Sequence, residues 1–185
     1  MISVGDLRPG MTFQYDNNLY VVLDASHNKT ARAAANIKVK MKNMRSGSTT
    51  EVTFGGNDKV KKAHIEKRKM QYLYDSGDAL VFMDNETYEQ IEINGDSLEW
   101  EKNFMKESDE VEITSFEGEV LGLSLPINVP FTITETEPAV KGDTATGATK
   151  NAIIETGFQI KVPLFISEGE VVVVNTVDGK YQGRA

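Results

Sequence analysis

Two stretches of the sequence carry side chains that could work on a polyanion. Lys38, Lys40 and Lys42 alternate strictly with Ile37, Val39 and Met41. Period-two spacing sends the apolar trio to one face of a strand and the three ammonium groups to the other. Such a stripe suits phosphate contacts, although a merely solvated strand face carries the same pattern. Arg32 stands among Thr30, Ala31, Ala33, Ala34 and Ala35, small residues that would let a loop tip enter a narrow space. Its planar fork of donors suits phosphate and ribose oxygens, with an ordinary exposed loop arginine as the alternative.

Catalytic chemistry is poorly supplied. There is no cysteine, and only two histidines, His27 and His64. That excludes disulfides, thiolate metal sites and cysteine nucleophiles, and leaves no basis for a Ser-His-Asp arrangement or a zinc centre. Acid pairs are frequent (Glu117/Glu119, Glu135/Glu137, Asp109/Glu110). Any of them could be offered as a glycosidase dyad, but solvated surface acids fit an acidic segment better. Gly55-Gly56-Asn57-Asp58 lacks the Lys-Ser/Thr that a phosphate-cradling P-loop needs and reads as a hairpin turn. The expectation is a protein that is not an enzyme, with no cofactor and no metal. Tyr72, Tyr74, Phe82 and Tyr88 could stack bases, or pack a core of their own.

Short strands must position these residues. Met11–Tyr15 and Leu19–Ala25 flank Asp16-Asn17-Asn18 as a hairpin. Residues 27–33 form a loop before the Ile37–Lys42 strand, and Ser46-Gly47 turns into Thr49–Phe54. A basic strand from Val60 runs on to Tyr74, followed by strands at Ala79–Met83 and Tyr88–Ile93. Asp96-Ser97-Leu98-Glu99 resembles a capping box, predicting the one helix of the chain, through Met105. Glu117-Gly118 joins Val111–Phe116 to Val120–Leu125. Pro126 and Pro130 mark a boundary, since proline cannot donate to a ladder. Further strands are expected at Phe131–Thr136, Ala152–Val162, Glu170–Thr176 and Lys180–Gly183, with Asp178-Gly179 turning the last hairpin. Three modules of about 60 residues each suggest three small barrels. The boundaries fall near residues 63–66 and 126–130, giving modules 1–64, 65–127 and 128–185.

The charge distribution agrees with a polyanion at one end. The 185 residues carry a net −8, but residues 1–70 hold +7 and residues 71–185 hold −15. Within 26–69 the net is +9. Asymmetry of this size points to nucleic acid for the basic module. The longest aliphatic run, Val171–Val174, is far short of the ~20 residues that span a bilayer. The first residues show no basic segment leading into an apolar stretch. A cytoplasmic protein without a membrane role is expected.

Longer motifs then resemble a known family. In the middle are Met70-Gln71-Tyr72-Leu73-Tyr74 and Phe82-Met83-Asp84-Asn85-Glu86-Thr87-Tyr88-Glu89-Gln90. Toward the end are the runs from Glu135 to Gly147, Lys150-Asn151-Ala152, Glu155-Thr156-Gly157, Val162-Pro163-Leu164-Phe165 and Tyr181-Gln182-Gly183-Arg184. In this order, over the whole length, the chain resembles bacterial translation elongation factor P. The resemblance implies an all-β fold with three small barrels in a row, an SH3-like KOW-type barrel followed by two OB-fold barrels, tRNA-like in outline. It implies a monomer that binds the ribosome, touching both subunits, between the peptidyl and exit sites. There it would contact peptidyl-tRNA and stimulate peptide bond formation where consecutive prolines stall it. By resemblance, the loop holding Lys29, Thr30, Ala31, Arg32 and Ala33 approaches the tRNA acceptor end. Gly142-Asp143-Thr144 faces the small subunit and messenger, and Tyr181 and Arg184 belong to the C-terminal motif. Many members carry a modified lysine at the tip where Arg32 stands here; lysine-type extension is unavailable to a guanidinium, and Lys29 lies three residues away. Some members attach rhamnose to a tip arginine, which would make an arginine-modifying glycosyltransferase a partner. The elongation-factor-P-like paralogue, with a similar Thr-Ala-Arg loop, is the near alternative; a free RNA-binding module is the more distant one.

Overall fold

The computed structural model describes residues 1–28, 35–139 and 147–185. Residues 29–34 and 140–146 lie outside the described residues, and with them Lys29, Thr30, Ala31, Arg32 and Ala33, and Gly142, Asp143 and Thr144.

Alternating sequence makes strands, and left-handed turn residues join them. Among the described residues the first sheet has six strands: β1 (Ile2–Ser3), β2 (Thr12–Tyr15), β3 (Asn18–Asn28), β4 (Asn36–Asn43), β5 (Thr49–Gly55) and β6 (Lys59–Lys62), in the order β1-β6-β2-β3-β4-β5. Asp16 and Asn17 both adopt positive φ (47° and 59°), as a two-residue turn matching strand twist requires. Val4, Leu7, Phe13, Val22, Ile37, Val39, Met41, Phe54 and Val60 form the core of this barrel. Gly56 must be glycine, because a Cβ there would meet the Ala35 carbonyl oxygen at 2.8 Å.

The second sheet contains β7 (Glu66–Asp75), β8 (Ala79–Asp84), β9 (Gln90–Asn94), β10 (Glu110–Phe116) and β11 (Glu119–Ser124), ordered β11-β10-β7-β8-β9. Glu117 and Gly118 turn its last hairpin with φ of 47° and 84°. The third contains β12 (Asn128–Thr136), β13 (Thr149–Ile154), β14 (Gln159–Pro163), β15 (Val171–Asn175) and β16 (Tyr181–Arg184), ordered β14-β13-β12-β15-β16. The fold is thus all-β with three curled sheets, as the alternation predicts. The chain divides into two compact units, Met1–Lys67 with Thr114–Gly122, and Arg68–Ile113 with Leu123–Ala185. No helix of the described residues is long and apolar enough to cross a membrane.

Three expectations from the sequence are corrected. The helix ending at Met105 is two 3-10 turns, Gly95–Leu98 and Glu101–Phe104. Asn94, not Asp96, caps the first by accepting from the Asp96 amide (2.8 Å), and Ser97 Oγ donates to the Asn94 carbonyl instead of joining a capping box. Asn103 Nδ2 donates to the carbonyls of Glu99 and Trp100 (3.0 and 3.1 Å). It thereby competes for acceptors that an α-helix would use. The supposed strand Ala152–Val162 is a hairpin, β13 and β14, turned by Gly157 at φ 91°. Tyr88 lies in a turn at φ 60°, not in a strand, and β9 starts at Gln90.

The 101–104 turn has a packing role. Phe104 is 1% exposed and joins Phe131, Ile133, Ile154, Val162 and Ile166 in the third barrel's core. Its ring meets Phe158 edge-on at 5.0 Å and Trp100 at 5.1 Å. Trp100 Nε1 donates to the Thr176 carbonyl at 2.9 Å. Gly179 (φ 71°) closes the 175–181 turn where a Cβ would meet Phe158 and Trp100 at 3.1 Å.

Candidate RNA-binding face

β3 and β4 form a long antiparallel ribbon. Their register runs from Tyr20 opposite Asn43 to Asn28 opposite Asn36, with an irregularity between Val22 and Asp24. The strand continues through His27 and Asn28, beyond the sequence reading, because Ile37 and Asn36 keep pairing with it. Along β4, Ile37, Val39 and Met41 are buried, and Lys38, Lys40 and Lys42 are exposed. The predicted stripe is therefore present, on the outer face of the ribbon.

Its neighbours were not legible in the sequence. Lys40 sits between Asp24 on β3 and Glu51 on β5. Lys38 faces Ser26 and Thr53 across the ladders, but its Nζ reaches Glu51 Oε1 at 2.7 Å. Both partners of that pair are half exposed, so water screens it and it contributes little to stability. A phosphate must compete with Glu51 for Lys38. Lys42, between Val21 and Thr49, has no acid opposite it.

Each of the three acid pairs has at least one member engaged in a structural contact. Glu119 receives Arg45 Nε and Nη2 at 2.9 Å each, with Arg45 Nη1 also donating to the Asn17 carbonyl at 3.2 Å. Those hydrogen bonds lower the Glu119 carboxyl below its usual range and raise the guanidinium. Glu137 accepts from the Asn151 backbone and side-chain amides (3.1 and 3.2 Å), and Asp109 from the Lys106 amide (2.8 Å). Glu110 lies 3.6 Å from Lys69. Among the described residues no three His, Asp or Glu side chains gather for a metal ion.

The aromatic quartet splits. Tyr72 and Phe82 are core, with rings 5.5 Å apart, and burial raises the Tyr72 phenol above its ordinary value. Tyr74 and Tyr88 are exposed. Asp84, which precedes the Tyr88 turn, is buried; its Oδ1 accepts from the amides of Glu86 and Thr87 (2.8 and 3.2 Å). Those two donors hold its carboxyl below the usual range. In the C-terminal motif, Tyr181 packs partly buried against the third core, while Arg184 points outward.

Small β-barrels with a lysine-lined ribbon make up a fold shared with solved translation factors. The fold resembles the eukaryotic-type translation initiation factor 5A from Methanococcus jannaschii, with TM-score 0.55 and 25% identity, covering 66% of this chain and 90% of that one. It also resembles a translation initiation factor 5A family protein from Naegleria fowleri, with TM-score 0.56 and 14% identity, over 67% and 96% of the two chains. The elongation factor P KOW-like domain matches residues 3–60, the elongation factor P OB domain residues 65–123, and the elongation factor P C-terminal domain residues 129–184. Elongation factor P of Mycoplasma mycoides subsp. mycoides SC is 52% identical over 184 residues, covering 100% of both chains. The chain belongs to the elongation factor P family of translation elongation factors.

Proposed function

We propose that this chain binds the ribosome between the peptidyl and exit sites, contacts peptidyl-tRNA and accelerates peptide bond formation where consecutive prolines stall it. The observation that carries the reading is the β3–β4 ribbon. It is a paired ladder as far as Asn28 and Asn36, with lysines along its outer face, and in the sequence Arg32 falls between those two ends. A paired ribbon is stiff enough to deliver a tip to a fixed place, and lysines along it give the delivery a phosphate track. Proline restricts peptide geometry. Aligning the acceptor end can lower the barrier without any acid or base from the factor, since orientation alone is worth several kcal/mol.

In this reading the protein is not an enzyme. It acts as a cytoplasmic monomer built of modules 1–64, 65–127 and 128–185. Lys29, Thr30, Ala31, Arg32 and Ala33 meet the acceptor end; Lys38, Lys40 and Lys42 meet backbone phosphates. Gly142, Asp143 and Thr144 face the small subunit, and the outward Arg184 takes an RNA phosphate beside Tyr181. Arg32 is also the position where an arginine-modifying glycosyltransferase would act. The test is the rate of peptide bond formation on ribosomes halted at consecutive prolines. Addition of the chain should raise that rate and leave non-proline pairs nearly unchanged. An equal effect on both, or none, would remove the proposal.

A further inference from the structure

The segment joining β14 to β15, residues 164–170, is pinned along its length. Ile166 is fully buried in the barrel core and its amide donates to the Pro163 carbonyl (3.2 Å). The Gly169 amide donates to the Ile133 carbonyl (2.8 Å), and the Ile133 amide donates back to the Glu170 carbonyl (2.9 Å). Glu170 Oε2 accepts from the Ser167 amide at 2.8 Å, so the carboxylate is held by its own turn. Its other oxygen, Oε1, lies 3.2 Å from Arg184 Nη2. Phe165, from the same segment, is 60% exposed, and Arg184 Cζ lies 4.7 Å from its ring centroid.

The backbone fixes the other end of that side chain. Arg184 stands opposite Val172 at the end of β16, and the Ala185 amide donates to the Val171 carbonyl at 3.0 Å. A guanidinium is thus held by a ring on its face and a carboxylate at one corner. One nitrogen faces Glu170, and the side chain is still 56% exposed. An exposed phenylalanine on a rigid segment adds nothing to the core, whereas stacking explains it. Glu170 cancels much of the long-range charge of Arg184, so the arrangement favours geometry over attraction. A planar fork with fixed direction matches a pair of phosphate oxygens. Freezing a long side chain beforehand removes an entropic cost from the binding step.

We propose that Phe165 and Glu170 are positioning residues that hold Arg184 as a preformed fork for an RNA phosphate. The proposal deepens the ribosome reading and rests on it. A double-mutant cycle tests it, using the full chain and ribosomes carrying peptidyl-tRNA in the peptidyl site. Phe165→Ala should raise Kd about two- to fivefold when Arg184 is present, the size of one exposed cation–π contact. In the Arg184→Ala background it should change nothing further. Phe165→Tyr should restore wild-type Kd, and the melting temperature of each variant checks that the barrel is intact. Equal weakening in both backgrounds would make Phe165 a contact in its own right and overturn the proposal. So would an unaffected Phe165→Ala beside a weakened Arg184→Ala. Unchanged binding by Arg184→Ala would remove the seat while the ribosome reading stands; failure of the wild-type chain to bind ribosomes would sink both.

Discussion

The first and third barrels display their cations in opposite ways. In the first, lysines stand at every second position of one strand, long-stemmed and exposed, with Asp24 and Glu51 placed among them. In the third, a single guanidinium is locked between Phe165 and Glu170. The cores differ too. The first barrel fills its interior from residues 4–60, whereas the third takes in Phe104 from the turn that precedes its own strands. The difference teaches how much each contact depends on geometry. A stripe of ammonium groups acts by charge and tolerates displacement; a stacked fork acts by direction and does not.

The largest effect expected from this contrast concerns the imported ring. Phe104→Ala removes a side chain that is 1% exposed and touches three other rings. It should destabilise the third barrel by about 3–5 kcal/mol. Hydrogen exchange should show protection falling in β12–β16 and persisting in β2–β5. Uniform loss across the chain would break the distinction between the two cores. For the stripe, Lys38, Lys40 and Lys42 to Ala together should reduce the log–log salt slope of ribosome binding by about three units, one per lost phosphate contact. Glu51→Gln should act in the other direction, freeing Lys38 and strengthening binding modestly. A triple variant with unchanged slope and affinity would leave the stripe as a solvated face.

The smallest effect belongs to Asp84, an acid held first by the Glu86 and Thr87 amides, with Arg68 3.7 Å from its other oxygen. Its folded carboxyl is depressed, so the stability it contributes is present above the unfolded carboxylate value. That stability is lost as pH falls through the lower folded value. Asp84→Asn should therefore flatten the acid limb of the stability–pH curve while altering ribosome binding little. An unchanged acid limb would show that the amide contacts do not hold the charge.

Much of the fold was legible because local signals suffice for it. The alternation from Ile37 to Lys42 set strand, faces and stripe. Asp16-Asn17 and Glu117-Gly118 marked tight turns because few residues accept positive φ. The 95–105 segment departs from the predicted helix because capping is decided by competition among side chains. Asn94, Ser97 and Asn103 each found a backbone partner that a periodicity cannot reveal. The candidate site was less legible for a similar reason. Glu51 lies thirteen residues beyond Lys38, and only the strand register brings them within 2.7 Å. Phe165 and Arg184 belong to separate motifs, Glu170 to neither, and only the barrel's pairing brings the three together.

The central claim is that the tip at Arg32 aligns peptidyl-tRNA while the barrel faces supply most of the binding. It is tested most directly by the rate of peptide bond formation at consecutive prolines, measured with Arg32→Ala at saturating occupancy. The account predicts that most of the acceleration disappears, with ribosome affinity only modestly weaker and thermal stability nearly unchanged. Arg32→Lys, which keeps the charge but loses the planar fork, should fail nearly as badly. Full acceleration by Arg32→Ala at matched occupancy would contradict the account.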